Sequence, residues 1–249
     1  MSFSISRERI RAILLDIEGT TTPIVFVHDV LFPFARAHAD AYLRTHGFSD
    51  ELRRTLARLR DEHAAESPGA SGPPVWIDAA ADTTRRSALA YVFWLMDRDR
   101  KSRGLKELQG LIWDEGYRSG HLQGTVFGDV PAALERWARA HLDVRIFSSG
   151  SVLAQQLLFR TVATGDLTPL LHGYFDTAVG PKTSPGSYRT IADAFAVPSA
   201  NILFVSDVVA ELDAARTAGL RTLLAIRPGN PPQSDHTHPS IRRFDDIVE

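Results

Sequence analysis

The chain has 249 residues, enough for one large domain or for a domain with a subdomain. Hydrophobic residues make up 44% and charged residues 23%, the balance of an ordinary globular protein. The formal net charge of -2 provides no basic field for nucleic acid or for an anionic membrane. No cysteine is present, so disulfides, thiolate metal sites and a cysteine nucleophile are excluded, and we expect a cytoplasmic protein.

The first strong signal is a short apolar run, Ala12–Leu15, which ends at Asp16 and is followed by Glu18 and Gly19. Such a run before a glycine predicts a fully buried strand. Ligands of open α/β sheets bind at the carboxyl ends of strands, where Asp16 would lie. Paired carboxylates there can provide a nucleophile or metal ligand and a proton carrier. Taken alone, these two residues also fit a pair of solvated acids before a turn.

A long helical region follows this first strand. Apolar residues recur at helical spacing, and no strand signal returns until about Leu122. We predict helices over 26–46, with a kink or break at Pro33, and over 50–66, 78–100 and 104–119. Consecutive helices of this kind predict a small bundle with its own core.

Strands and helices alternate through the rest of the chain. We predict strands over 144–147, 174–179, 202–205 and 222–226, and helices over 130–140, 152–162, 188–195 and 209–218. This order predicts a Rossmann-like α/β fold, in which helices cover both faces of a parallel sheet. We therefore predict an α/β core of residues 1–20 and 126–249 and an inserted all-helical subdomain of residues 21–125.

Polar residues follow the predicted strands at their carboxyl ends. Ser148 and Ser149 precede a helix, whose N-terminal N–H groups can bind an anion. Lys182 stands in a Gly-Pro-Lys turn, where it can neutralise phosphate charge, and the carboxylates of Asp16 and Asp207 suit Mg²⁺. Each feature has an ordinary alternative, a helix N-cap for the serines and Asp207 and a solvated lysine for Lys182. Together they predict a phosphoryl-transfer site with one Mg²⁺ per subunit.

In this order, the motifs resemble those of the haloacid dehalogenase superfamily of phosphotransferases. Asp16-Ile17-Glu18-Gly19-Thr20 matches the first motif, Ser148 the second, Lys182 the third, and Asp207 with Glu211 the fourth. The helical insertion between the first two motifs is similar to the cap subdomain of that superfamily. The resemblance therefore implies a haloacid dehalogenase-like core with an all-helical cap.

Glu18 stands where the usual first motif has aspartate. That replacement is typical of the enolase-phosphatases (acireductone synthases) of methionine salvage, which residues 26–33, 128–131, 148–151 and 227–230 also resemble. The resemblance implies a Mg²⁺-dependent bifunctional enzyme. Its substrate would be 2,3-diketo-5-methylthiopentyl 1-phosphate, and its products the acireductone 1,2-dihydroxy-3-keto-5-methylthiopentene and phosphate.

The resemblance also implies roles for the acidic residues. Asp16 would attack phosphorus and form an aspartyl-phosphate, while Glu18 would protonate the leaving oxygen and then activate water. Asp16, Asp207 and the backbone carbonyl of Glu18 would bind the metal ion, with Glu211 orienting Asp207 or metal-bound waters. Glu18 and His28 are both candidates for removing the carbon-bound proton during enolisation.

Ser148, Ser149 and Lys182 would bind the phosphoryl oxygens of the substrate. We expect a monomer that acts on a small-molecule phosphate, with no nucleic-acid or membrane partner. The alternatives are another superfamily phosphatase acting on a small phosphate ester, a metal-independent dehalogenase, and a binding protein with an inactive site. His236 and His238 lie in a polar loop and are expected to be solvated.

Overall fold

The computed structural model describes residues 2–47, 49–67, 69, 72–233 and 235–248. The chain divides into two compact units, the first formed by Met1–His28 with Gln123–Glu249 and the second by Asp29–Leu122. The second unit spans fewer residues than the insertion predicted over 21–125, because residues 21–28 and 123–125 group with the first unit. The backbone hydrogen bond from Phe127 N–H to the Thr21 carbonyl, 2.9 Å long, joins two segments of that first unit.

Among the described residues, all strands lie in the first unit, and they are short. They are β1 (Phe3–Ser4), β2 (Ala12–Leu15), β3 (Asp143–Phe147), β4 (Gly173–Phe175), β5 (Ile202–Ser206), β6 (Arg221–Ala225), β7 (Ser240–Ile241) and β8 (Ile247–Val248). The helices are α1 (Ile24–Phe26), α2 (Phe32–Thr45), α3 (Asp50–Ala65), α4 (Ala81–Met96), α5 (Arg103–Arg118), α6 (Val130–Arg139), α7 (Val152–Arg160), α8 (Pro185–Ala194) and α9 (Val209–Thr217).

Within the described residues, the main sheet has six strands in the order β4-β3-β2-β5-β6-β7. Every neighbouring pair in it is parallel. Strand β2 lies in the middle, where Leu15 is level with Ile146 of β3 and with Val205 of β5. The predicted parallel α/β core is therefore confirmed, and β1 and β8 add a separate two-stranded parallel ribbon.

The central strands are buried on both faces. All four residues of β2 are fully buried, as are the apolar residues of β5. Tyr188 from α8 packs against Phe147 at the end of β3 and against Phe204 of β5, with ring centroids 5.5 Å and 5.1 Å apart. Burial on both faces explains why these strands read as continuous apolar runs rather than as alternating ones.

The second unit contains α2 to α5. Gly104 in α5 allows that helix to approach α3 closely, because a Cβ there would lie 2.7 Å from the Leu59 Cγ. A π-helical segment, Val27–Leu31, precedes α2, and Pro33 lies in the first turn of α2. The α-helix predicted over 26–46 is therefore interrupted just before Pro33, where the π-helical segment ends and α2 begins. Across the described ranges, no helix is long and apolar enough to cross a membrane.

Candidate active site

Three of the predicted site residues directly follow neighbouring strands of the main sheet. Asp16 follows β2, and its backbone N–H donates to the Val205 carbonyl at 3.0 Å, which continues the ladder with β5. Ser148 follows β3 and Asp207 follows β5. Because the strands are parallel, these residues occupy the carboxyl edge of the sheet, where α/β proteins bind ligands.

Residues 16–22 form a compact turn, called here the acid loop. The Ile17 carbonyl accepts backbone hydrogen bonds from residues 20, 21 and 22 at 2.9–3.1 Å. Gly19 has φ +69° and lies against Asp207, since a Cβ at residue 19 would fall 2.3 Å from the Asp207 Oδ2. Both the left-handed backbone and the close carboxylate require glycine at this position.

Lys182 joins two buried carboxylates. Its Nζ lies 2.5 Å from the Asp16 Oδ1 and 2.7 Å from the Glu211 Oε2, and its side chain is only 12% exposed. Burial opposes the ammonium charge, but Asp16 and Glu211 outweigh it and raise the pKa of Lys182. The Ser206 hydroxyl donates to the same Glu211 oxygen at 3.0 Å. The solvated-lysine alternative is therefore wrong for Lys182.

Asp207 and Glu211 belong to a cluster with surplus negative charge. Burial, followed by the charges of Asp16 and Glu211, raises the pKa of Asp207 to about 7. Burial and the charge of Asp16 raise the pKa of Glu211 to about 7. The residue at the N-cap of α9 is Val208, with no side-chain capping bond, so capping does not explain Asp207.

Glu18 and His28 form a pair beside this cluster. The His28 Nε2 lies 3.1 Å from the Glu18 Oε1. Burial raises the pKa of Glu18 despite the opposing effect of His28, and the charge of Asp16 raises it further. A carboxyl group with a raised pKa can hold a proton and transfer it, as general acid catalysis requires.

Ser148 and Ser149 follow β3 and precede α7. Ser148 is buried and its hydroxyl accepts the Gly150 N–H at 3.2 Å, whereas Ser149 is exposed. Ser151 caps α7, because its hydroxyl accepts the Ala154 N–H at 3.2 Å. The N-cap alternative is therefore wrong for Ser148 and Ser149, which lie just before the N-terminus of α7.

The expectation that His238 is solvated was wrong. Its ring is buried, with Nδ1 2.8 Å from the Thr222 Oγ1 and Nε2 3.1 Å from the Asp213 Oδ1. These two partners lie 16 and 25 residues away from His238 in the sequence. The polar composition of the loop around His238 therefore could not predict that the ring is buried. In the described part of the chain, no group of three or more His, Cys, Asp or Glu side chains is arranged to hold a metal ion.

The sequence analysis gave no role to Arg227, Asp129 and Asn230, which the structure connects to the acid loop. Arg227 and Asp129 form a buried ion pair with 2.8 Å between Nη1 and Oδ2. Asn230 donates to the Gly19 carbonyl at 2.9 Å. The sequence did contain one indication of their importance, because residues 128–131 and 227–230 are among the segments that resemble the enolase-phosphatases.

Comparison with known proteins fits this arrangement. A family model described as haloacid dehalogenase-like hydrolase matches residues 10–219. Enolase-phosphatase E1 of Synechococcus elongatus is 49% identical over 240 residues, covering 96% of this chain and 98% of the relative. Enolase-phosphatase E1 of Pseudomonas aeruginosa is 46% identical over 239 residues, covering 96% and 98%. The chain belongs to the enolase-phosphatase E1 family of haloacid dehalogenase-like hydrolases.

Two solved structures are similar to this chain. The UTR4 protein of Saccharomyces cerevisiae matches with a TM-score of 0.76 and 32% identity, covering 95% of this chain and 99% of that one. CbbY of Rhodobacter sphaeroides, solved in complex with phosphate, matches with a TM-score of 0.55 and 16% identity, a likeness of fold. It covers 94% of this chain and 95% of CbbY. The predicted family, fold class and hydrolase activity of this enolase-phosphatase family member are confirmed.

Proposed function

We propose that this member of the enolase-phosphatase E1 family converts 2,3-diketo-5-methylthiopentyl 1-phosphate into 1,2-dihydroxy-3-keto-5-methylthiopentene and phosphate, using Mg²⁺. The observation that carries the proposal is the buried Asp16, with Lys182 at 2.5 Å from its Oδ1 and Glu18 two residues further on. A nucleophile, a cation for phosphate and a proton carrier thus lie on two short segments. The relatives named above support the choice of substrate.

Asp16 acts as the nucleophile in the phosphatase step. A carboxylate oxygen forms a bond to phosphorus while the bond from phosphorus to the substrate oxygen breaks, leaving an aspartyl-phosphate. Glu18 donates its proton to the departing oxygen. The resulting Glu18 carboxylate then takes a proton from the water that attacks phosphorus, which releases inorganic phosphate and restores Asp16. The raised pKa of Glu18 supports this acid-then-base role.

Lys182, Ser148 and Ser149 bind the phosphoryl group. Lys182 supplies positive charge next to the nucleophile, where charge accumulates on the phosphoryl oxygens in the transition state. The two serines lie before the N-terminus of α7, whose N–H groups favour an anion. Glu211 and Ser206 hold Lys182 in place through the Glu211 Oε2.

The proposed donor set has two carboxylates and one backbone carbonyl, and the chemistry of these oxygens suits Mg²⁺. Asp16 and Glu211 contact the ammonium of Lys182, whereas the Asp207 carboxylate lies against Gly19. The raised pKa of Asp207 indicates a buried carboxylate that a cation would stabilise. Asp16, Asp207 and the Glu18 backbone carbonyl would hold the ion, which prefers oxygen ligands and retains waters. When bound, Mg²⁺ polarises substrate oxygens and offsets their negative charge.

Enolisation precedes phosphate release. A base removes a proton from the substrate carbon, and the electron pair of the broken C–H bond forms the C=C bond of the enol. The π pair of the adjacent carbonyl moves to its oxygen, which then takes up a proton. Glu18 and His28 lie 3.1 Å apart, so a proton taken by one can pass to the other. We assign the helical unit, Asp29–Leu122, the role of a cap that keeps water from the enol. The cytoplasmic location and the monomeric state stay predictions.

The experiment is to incubate the purified chain and Mg²⁺ with the diketo phosphate, a sugar phosphate and a 2-haloacid, and to measure phosphate, halide and enol products. We expect preferred turnover of the diketo phosphate with release of both enol and phosphate. Preferred turnover of the sugar phosphate would indicate another superfamily phosphatase. Halide release without metal would indicate a dehalogenase, and either result would contradict the proposal.

A further inference from the structure

The turn after β6, residues 227–230, contacts the acid loop at two consecutive backbone carbonyls. The Arg227 Nε donates to the Thr20 carbonyl at 2.9 Å. The Asn230 Nδ2 donates to the Gly19 carbonyl at 2.9 Å and to the Ala225 carbonyl, at the end of β6, at 3.3 Å. Two side chains of one turn therefore tie the loop that carries Asp16 and Glu18 to a strand of the sheet.

Arg227 is itself fixed on several sides. Its side chain is 2% exposed, and its Nη1 donates to the Asp129 Oδ2 at 2.8 Å and to the Arg242 carbonyl at 3.0 Å. Its guanidinium lies 4.7 Å from the Phe127 ring centroid and 4.5 Å from that of Phe244. A stacked guanidinium that also makes directed hydrogen bonds can move little, so the Thr20 carbonyl has a rigid anchor.

Burying the Arg227 guanidinium costs desolvation free energy, and good packing alone would not require a charged residue at this position. Replacing a buried ion pair by apolar residues of similar volume is often neutral or stabilising. What an apolar side chain could not supply is the donor to the Thr20 carbonyl. The Gly19 Cα lies against the Asp207 carboxylate, so a displaced acid loop would also change the separation between Asp16 and Asp207.

We propose that Arg227, anchored by Asp129, and Asn230 are positioning residues that fix the acid loop relative to Asp207. They act through the Thr20 and Gly19 carbonyls. Losing either donor loosens the loop, weakens Mg²⁺ binding and lowers kcat more than it raises KM. The kinetic part rests on the proposed function, whereas the loop part does not.

The test is amide hydrogen exchange of residues 17–22 in the metal-free protein, together with calorimetric Mg²⁺ binding. Arg227→Met should speed exchange in this segment about tenfold or more, as expected for the loss of a buried hydrogen bond. Arg227→Lys keeps a charge opposite Asp129 and should lie between the wild type and Arg227→Met. The matched control is Arg145→Met, because Arg145 also bonds a carboxylate and a carbonyl and lies 4.4 Å from an aromatic ring centroid, that of Phe195.

Unchanged exchange over residues 17–22 in Arg227→Met, or an equal increase in Arg145→Met, would overturn the proposal. If Arg227→Met does not fold, Asn230→Ala decides, since it removes one donor from a half-buried side chain. Unchanged exchange and unchanged Mg²⁺ affinity in Asn230→Ala would overturn the proposal. Faster loop exchange in a protein whose wild type does not turn over the diketo phosphate would support the positioning role and contradict the proposed function.

Discussion

Asp207→Asn should stabilise the metal-free protein at neutral and alkaline pH, although Asp207 is a proposed metal ligand. Burial and neighbouring carboxylates raise the pKa of Asp207 from its ordinary value of 3.8 to about 7. The folded protein therefore holds this proton more tightly than the unfolded chain. As a result, the free energy of unfolding falls as pH rises from about 4 to about 7, and it stays low above that range.

The magnitude follows from the two pKa values of Asp207. A change from 3.8 to about 7 corresponds to about 4 kcal/mol at pH values above 7. Relaxation of the folded chain reduces the measured effect, so we expect Asp207→Asn to gain about 1–4 kcal/mol at pH 8. The gain should shrink toward zero below about pH 3, where the wild-type carboxyl is protonated in both states.

Urea denaturation of EDTA-treated protein at several pH values measures these stabilities. Wild type should lose stability between about pH 4 and pH 7 and regain it when Mg²⁺ is added. Asp207→Asn should have a flatter profile and a smaller response to Mg²⁺. Asp193→Asn, at an exposed position on α8, is the matched control and should behave like wild type. A wild-type stability that is constant or rises over this pH range would refute the reasoning.

The remaining predictions concern turnover. Lys182→Met should lower kcat in a phosphate-release assay by about 10²–10³-fold, as loss of a charge-stabilising donor does. The control is Lys101→Met at an exposed position. A wild-type rate for Lys182→Met would contradict the prediction. Glu18→Gln should lower turnover by about 10²–10⁴-fold, while calorimetry should still detect Mg²⁺ binding. Loss of Mg²⁺ binding together with normal turnover in excess Mg²⁺ would contradict a proton-transfer role for the Glu18 side chain. EDTA should abolish activity and Mg²⁺ should restore it, so full activity in EDTA would count against the proposed metal site.

The central sheet was predictable because its signal is local. Ala12–Leu15 and Ile202–Ser206 are buried on both faces, and continuous apolar runs record that burial directly. The strands β1, β7 and β8 have two residues each, too few for any periodicity. The segment predicted as a strand over 174–179 divides into β4 and a 3₁₀ turn.

That division has a local cause, because the Asp176 carboxylate accepts the Ala178 N–H at 2.8 Å and caps the 3₁₀ turn.

The site was predictable where a residue's place on a strand decides its position, as for Asp16 and Asp207. Arg227 and Asp129 were not predictable as a pair, because 98 residues separate them and neither belongs to a sequence pattern with known chemistry. The fourth motif predicted Glu211 as a residue that orients Asp207 or metal-bound waters. Its contact with Lys182 was not predictable, because that contact depends on how α9 and residue 182 meet in the folded unit. Long-range side-chain pairing is set by the fold, and local composition does not encode it.

The most direct test of the account is phosphate release from the diketo phosphate by wild type and by Asp16→Asn, in the presence of Mg²⁺. An amide cannot form the aspartyl-phosphate, so wild type should release phosphate and the variant should release none above background. Mass spectrometry of rapidly quenched wild type should also detect phosphate on Asp16. Near-wild-type phosphate release by a pure, folded Asp16→Asn protein would contradict the assignment of Asp16 as the nucleophile.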